Sequence, residues 1–333
     1  MFSAFLNFIV FKTDRLSNDD TKFKGSDGHG IVLDTSWDPK KHVRCYGEVV
    51  SIPQHLSHVF ISQKHRGLPS YESYSPFEYK YISDISPDIQ VGDRIYFHFN
   101  TLVDKNLIKY QFEEGKKVYY FKVRYDQVIC AVRDGQIIPT SSYTLVEPDM
   151  ETWQDIQIPT YSNLIGPDGN KKLKPKDQWL VTKAAPESKY LLGYVRHVGN
   201  PLKGTTCDFV AGDRIIYRRQ ANWTNKIEGK DYFAILQKHI IGKFVDGVPV
   251  PVGTNVFIIP EEQDAVTPGG IHKVKLDIVQ RGSVLHPGSS KFQIGDWVEL
   301  GEADRQPIKH EGKNFISVDS SSIWGVHRFA KTA

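Results

Sequence analysis

Apolar and polar residues alternate along much of this chain with the period of two that a half-buried β-strand requires, and one such run is written three times. Val91-Gly92-Asp93-Arg94-Ile95-Tyr96-Phe97 returns as Ala211-Gly212-Asp213-Arg214-Ile215-Ile216-Tyr217 and as Ile294-Gly295-Asp296-Trp297-Val298-Glu299-Leu300. Each copy is a Gly-Asp turn feeding a β-rich strand. In the first copy the alternation predicts Val91, Ile95 and Phe97 on one side of the strand and Arg94 and Tyr96 on the other.

The flanks repeat as well. A strand-opening glycine precedes each copy, at Gly47, Gly193 and Gly282, and two further apolar runs follow it. From Asp213 to Ile240 and from Asp296 to Ile323 the distance is 27 residues, against 35 from Asp93 to Val128. Asp134-Gly135 and Asp246-Gly247 are each followed by prolines at offsets of 4 and 13 from the glycine, which places the repeat borders. The chain therefore divides into tandem copies at 1–138, 139–250 and 251–333. The predicted fold class is all-β, with each copy a small, partly open barrel.

Composition agrees, since aromatic and β-branched residues abound and helix-period stretches are scarce. A net charge of +3 over 333 residues gives no basic field that would recommend nucleic acid as a partner. Cys45, Cys130 and Cys207 are odd in number and lack CxxC spacing, so neither a disulfide framework nor a zinc site is expected, and the compartment reads as reducing. Met1 to Phe11 lacks the basic start and cleavage site of a leader and reads as a first strand over Asn7 to Lys12. No apolar run reaches the roughly 20 residues of a membrane span, so a cytoplasmic location is expected, or a virion if the source is viral.

Two segments of the first copy fall outside the barrel pattern. Residues 13–43 are polar and turn-rich around one apolar trio, Ile31-Val32-Leu33, which Gly30 precedes. The trio could clip onto the chain's own surface or anchor in a partner's groove. Residues 53–90 hold Tyr71, Tyr74, Phe77, Tyr79 and Tyr81, an aromatic density that suits an interaction surface or a satellite core under a long loop. A first strand, a loop carrying Gly-Ile-Val-Leu, then Gly-Glu-Val-Val, an excursion, Val-Gly-Asp and two closing strands is similar to the chaperonin-10 family, the GroES-type co-chaperonins. That resemblance implies a mobile loop over 13–43 whose Gly30, Ile31, Val32 and Leu33 bind the apical domains of a chaperonin ring, a roof hairpin over 53–90, and a ring-shaped homo-oligomer. Trp179-Leu180-Val181-Thr182 echoes the trio faintly in the second copy and reads equally well as an internal strand. In the third, His272 and Lys273 break the pattern after Ile271.

No dinucleotide fingerprint, nucleophile elbow, Walker loop or metal-spaced histidine pair is present, so neither an enzyme nor a cofactor or metal is expected. Asp93, Asp213 and Asp296 read as turn residues, not paired catalytic acids. Two functions follow: a co-chaperonin that caps a chaperonin ring through its first loop, or a structural assembly protein, such as a viral particle component, that keeps the barrel as a building block.

Overall fold

The computed structural model describes residues 7–14, 16, 44–53, 56–60, 78–83, 88–140, 142–152, 154–165, 171–184, 190–201, 207–218, 223–261, 281–301, 308–310 and 313–327. Among them there is no α-helix, and hence none long and apolar enough to cross a membrane; β-strands and short 3₁₀ turns make up the regular structure.

The first repeat supplies β1 (Phe8–Thr13), β2 (Tyr46–Ser51), β3 (Leu56–Phe60), β4 (Glu78–Ser83), β5 (Arg94–Phe97), β6 (Leu107–Glu113), β7 (Lys116–Arg124), β8 (Val128–Arg133) and β9 (Gln136–Pro139). The second supplies β10 (Tyr143–Pro148), β11 (Gln154–Ile165), β12 (Lys171–Ala184), β13 (Tyr190–Val198), β14 (Arg214–Arg218), β15 (Trp223–Ile227), β16 (Lys230–Leu236), β17 (Ile240–Val245) and β18 (Val248–Pro251). The third supplies β19 (Asn255–Pro260), β20 (Arg281–His286), β21 (Trp297–Leu300), β22 (Ile308–His310), β23 (Lys313–Asp319) and β24 (Ile323–His327).

Three large antiparallel sheets result, with orders β6-β7-β1-β2-β5-β8-β9, β15-β16-β10-β13-β14-β17-β18 and β22-β23-β19-β20-β21-β24. Position for position this is one strand order used three times, the third sheet ending at β24. The insertions differ. β3 and β4 form a two-stranded ladder between β2 and β5, whereas in the second repeat the ladder is β11 with β12, between β10 and β13.

The repeated Gly-Asp motif has one geometry in all three places. Asp93, Asp213 and Asp296 each donate a backbone N–H to the carbonyl three residues back, at 3.2, 3.2 and 3.1 Å. Each returns a side-chain oxygen to the backbone N–H of that same residue, at 2.7, 2.9 and 2.8 Å. The glycine between has φ of 94°, 99° and 86°, the third position of a type II turn, which side chains with a Cβ reach only under strain. Val91 occupies the second position of that turn and is 61% exposed, so its expected place on one side of the strand with Ile95 and Phe97 is corrected: the alternation begins at Arg94, after the turn.

Gly47, Gly193 and Gly282 share a different requirement. A Cβ on Gly193 would lie 2.7 Å from the Glu147 carbonyl oxygen and 2.5 Å from a Val146 methyl, and one on Gly47 would lie 2.8 Å from the Lys12 carbonyl oxygen. One strand crosses hard against the preceding one here, and only a missing side chain permits it. Gly193→Ala should therefore cost about 1–3 kcal/mol through overpacking, read as a lowered denaturation midpoint at unchanged slope.

By contact density the chain divides into two compact units, Met1–Leu145 with His197–Gly204 and Thr224–Ala234, and Val146–Arg196 with Thr205–Trp223 and Ile235–Ala333. In the first unit Ile9, Phe11, Val49, Ile95, Phe97, Phe121, Val123, Val128 and Ala131 form one buried cluster. β7 and β8 stand four strand spacings apart in their sheet, about 19 Å if flat, so their meeting in one core means that the sheet curls around it. In the second unit Val256, Ile258, Val284, Val298, Leu300, Ile316 and Val318 gather the inner face of the third sheet in the same way.

A second pair of clusters lies on the outer faces. Within the first unit, Tyr96, Ile129 and Cys130 of β5 and β8 pack with Leu145 of β10 and with Ile227, Tyr232 and Ala234 of the β15–β16 hairpin. Within the second, Ile216 and Ile241 of β14 and β17 pack with Phe257 of β19 and with Ile308 and Phe315 of the β22–β23 hairpin. Tyr96 matches Ile216, Ile129 matches Ile241, Leu145 matches Phe257 and Tyr232 matches Phe315 under the repeat alignment, so two joints are built from the same positions. Volume is traded between them: the Phe257 ring lies over Gly242, while the smaller Leu145 meets Cys130 at the matching place. Tyr96, expected on the side opposite Ile95 and Phe97, does face away from them, and it is only 5% exposed because the hairpin covers it.

Candidate functional site

Gly30, Ile31, Val32 and Leu33 lie outside the described residues, as do Tyr71, Tyr74 and Phe77. What the structure does give is the foot of the 17–43 segment. β1 ends at Thr13 and β2 begins at Tyr46, and the two pair antiparallel, so the segment leaves and re-enters at one end of a ladder. Arg44 closes that end. Its backbone N–H donates to the Leu16 carbonyl at 3.3 Å, and its guanidinium is ion-paired with Asp14 and donates to the Tyr46 hydroxyl at 2.7 Å and to the Thr13 hydroxyl at 3.5 Å. The guanidinium also lies 4.4 Å from the centroid of the Tyr46 ring. Charge, stacking and a main-chain bond thus converge on one residue, which fixes where the segment starts and stops.

Beside this foot is an open groove of about 530 Å³, bordered by Lys12, Asp14, Arg44, Tyr46, Glu48, Arg94, Glu113 and Glu228. Three cations, Lys12, Arg44 and Arg94, face five carboxylates, those of Asp14, Glu48, Glu113, Asp134 and Glu228, so the lining is net acidic and only part of its charge is paired. Lys12 reaches Glu48 at 3.3 Å and Glu113 at 4.0 Å, and Arg94 reaches Glu228 at 2.9 Å, where the Tyr96 hydroxyl also donates at 2.9 Å.

Among the described residues no group of three or more His, Cys, Asp or Glu side chains is gathered as metal ligands. None of the three cysteines is in a disulfide, and burial pushes the Cys45 thiol up to about 11 and that of Cys130 further still, so neither is a thiolate near neutral pH.

Tyr79 and Tyr81 fall on β4, where they pair with Val59 and His58 of β3. The 53–90 excursion therefore contains a hairpin-like ladder. In the second repeat Trp179 to Thr182 pair with Pro159 to Ile156 inside the β11–β12 ribbon, the internal-strand reading of that echo. Pro268 to Lys273 of the third repeat lie outside the described residues.

Arg44 and the two joints were not legible as functional positions in the sequence. Arg44 carries no motif, and its importance comes from being where two chain ends meet. The joints did leave a trace: the third residue after each Gly-Asp is apolar or aromatic in the first two copies, Tyr96 and Ile216, and charged in the third, Glu299.

No model of a known protein family matches this chain, and a search of curated proteins found no relative.

Proposed function

We propose that the chain is a co-chaperonin that caps a chaperonin ring, presenting Gly30, Ile31, Val32 and Leu33 to the ring's apical domains from a foot that Arg44 clamps. The single observation that carries this reading is the clamp: a long segment with one aliphatic trio starts and ends at a fixed point on a curled sheet. An anchor that must find a groove, order there and let go again needs a firm base and a free middle, and each contact stays weak because ordering offsets part of the burial. The shared strand order, the curled cores and the β3–β4 ladder in the roof position support reading each sheet as a partly open GroES-like barrel. Several copies in a homo-oligomer would turn weak single contacts into avidity.

A second reading, a permanent assembly component built from the same barrels, is favoured by the joints, since an array fastened by apolar clusters at matched positions suits a fixed structure. The two part on one experiment. Mixed with a chaperonin and nucleotide at micromolar concentration, the full chain should comigrate with the ring on a sizing column. No shift would favour the assembly reading.

A further inference from the structure

Between β10 and β13 the second repeat carries the β11–β12 ribbon, at the place where the first repeat carries the 17–43 segment. Its strands run 12 and 14 residues, and among the described residues they pair with each other and with no third strand. The register sorts its charges along that length. In the half adjoining β10 and β13, Gln154 to Pro159 pair with Ala184 to Trp179, and the one lysine, Lys183, stands opposite Asp155. In the other half Tyr161 to Ile165 pair with Pro175 to Lys171, and these ten residues hold Lys171, Lys172 and Lys174 with no carboxylate among them. Lys172 and Lys174 share one face, paired with Leu164 and Ser162, and Lys171, paired with Ile165, falls on the other.

We propose that this half of the ribbon, residues 161–165 with 171–175, is an arm that enters the major groove of duplex DNA and holds its phosphates through Lys171, Lys172 and Lys174. The inference is independent of the chaperonin reading, since it concerns a different insertion in a different repeat.

Charge and dimension together select the partner. Three lysines on a short ladder without a carboxylate suit a densely anionic surface, and duplex DNA carries one charge per ~1.7 Å of its axis. Two strands ~4.8 Å apart make a ribbon narrow enough for the major groove, which is about 12 Å wide and has a phosphate strand along each flank. The major groove of double-stranded RNA is too deep and narrow for the same entry. A pair of strands that joins no larger sheet is marginal in water by itself, and a partner along its length stabilises it. The net charge of +3 averages this local density over the whole chain, which is why it gave no sign of a nucleic-acid partner. Lysines act as point charges on phosphate, so the binding should be independent of base sequence and strongly weakened by salt.

Fluorescence anisotropy of a labelled DNA duplex of arbitrary sequence, titrated with the full chain, tests this. The wild type should bind at about 1–100 µM in physiological salt, and log affinity should fall against log salt with a slope of about −3, the value for three phosphate contacts. Lys171→Glu, Lys172→Glu and Lys174→Glu together should weaken binding by at least about tenfold and flatten the slope. Lys171→Gln, Lys172→Gln and Lys174→Gln together should do the same, which keeps the test valid should the reversed charges disturb the ribbon. Lys109→Glu, Lys116→Glu and Lys117→Glu, the same charge change at three exposed lysines of the first repeat, should leave binding nearly unchanged. A duplex left unbound, an equal loss in the first-repeat variant, tighter binding to the single strand, or binding to phosphatidylserine vesicles that the duplex does not displace would each overturn the proposal.

Discussion

Phe257→Ala should destabilise the second unit by about 3–5 kcal/mol, the range for removing a fully buried phenylalanine and leaving a cavity. Phe257 is 0% exposed, its ring centroid is 4.8 Å from that of Phe315, and it packs over Gly242 between Ile216 and Ile241. Little can collapse into the space: one wall is a glycine backbone and the others are strands already hydrogen-bonded in ladders. The loss should appear as a lower urea midpoint for the transition that exposes this unit. Trp324→Ala, at the bulge position that matches Ile129 and Ile241 but 76% exposed, should change the same midpoint by less than about 0.5 kcal/mol. A small effect at Phe257 would mean that the joint is a contact without energetic weight, and the tandem array would then be three sheets loosely strung.

The variant Ile31→Ser, Val32→Ser, Leu33→Ser should leave the described sheets as stable as before and abolish binding to a chaperonin. Each aliphatic side chain contributes roughly 1.5–3 kcal/mol when buried, and ordering the segment offsets much of the sum, so a single loop binds weakly. Losing the trio in every copy multiplies a modest loss around an oligomer, which is why the expected outcome is near-complete loss. A fall of many degrees in melting temperature would instead make the trio part of a core. Continued binding would move the site elsewhere in the chain.

Much of the architecture could be read from residues because the same local problem is solved three times. A Gly-Asp turn recurs because a positive φ and a back-bonding carboxylate are needed there, and Gly47, Gly193 and Gly282 recur because two strands cross too closely for a Cβ. Spacing of this kind survives in a sequence. What covers a strand's outer face does not: Tyr96 alternates as a solvent-facing residue should and is buried by a hairpin 130 residues further on, within the first unit. Val91 failed for a local reason, since it sits in the turn rather than the strand. The insertions were visible as excursions without repeat partners, but nothing in the composition of 154–184 distinguished a long ribbon from a loop with an anchor. For Gly30 to Leu33, and for Tyr71, Tyr74 and Phe77, the reading still rests on sequence, and Arg44 is the structural link to the first group.

Amide hydrogen exchange on the full chain, with and without a chaperonin and nucleotide, tests the account most directly. Binding through the first loop predicts that protection rises over residues 30–34 when the ring is added, while the amides of β1, β2 and β5 keep the exchange rates they had in its absence. Protection that rises on the sheets with none over 30–34, or that changes nowhere, would contradict it.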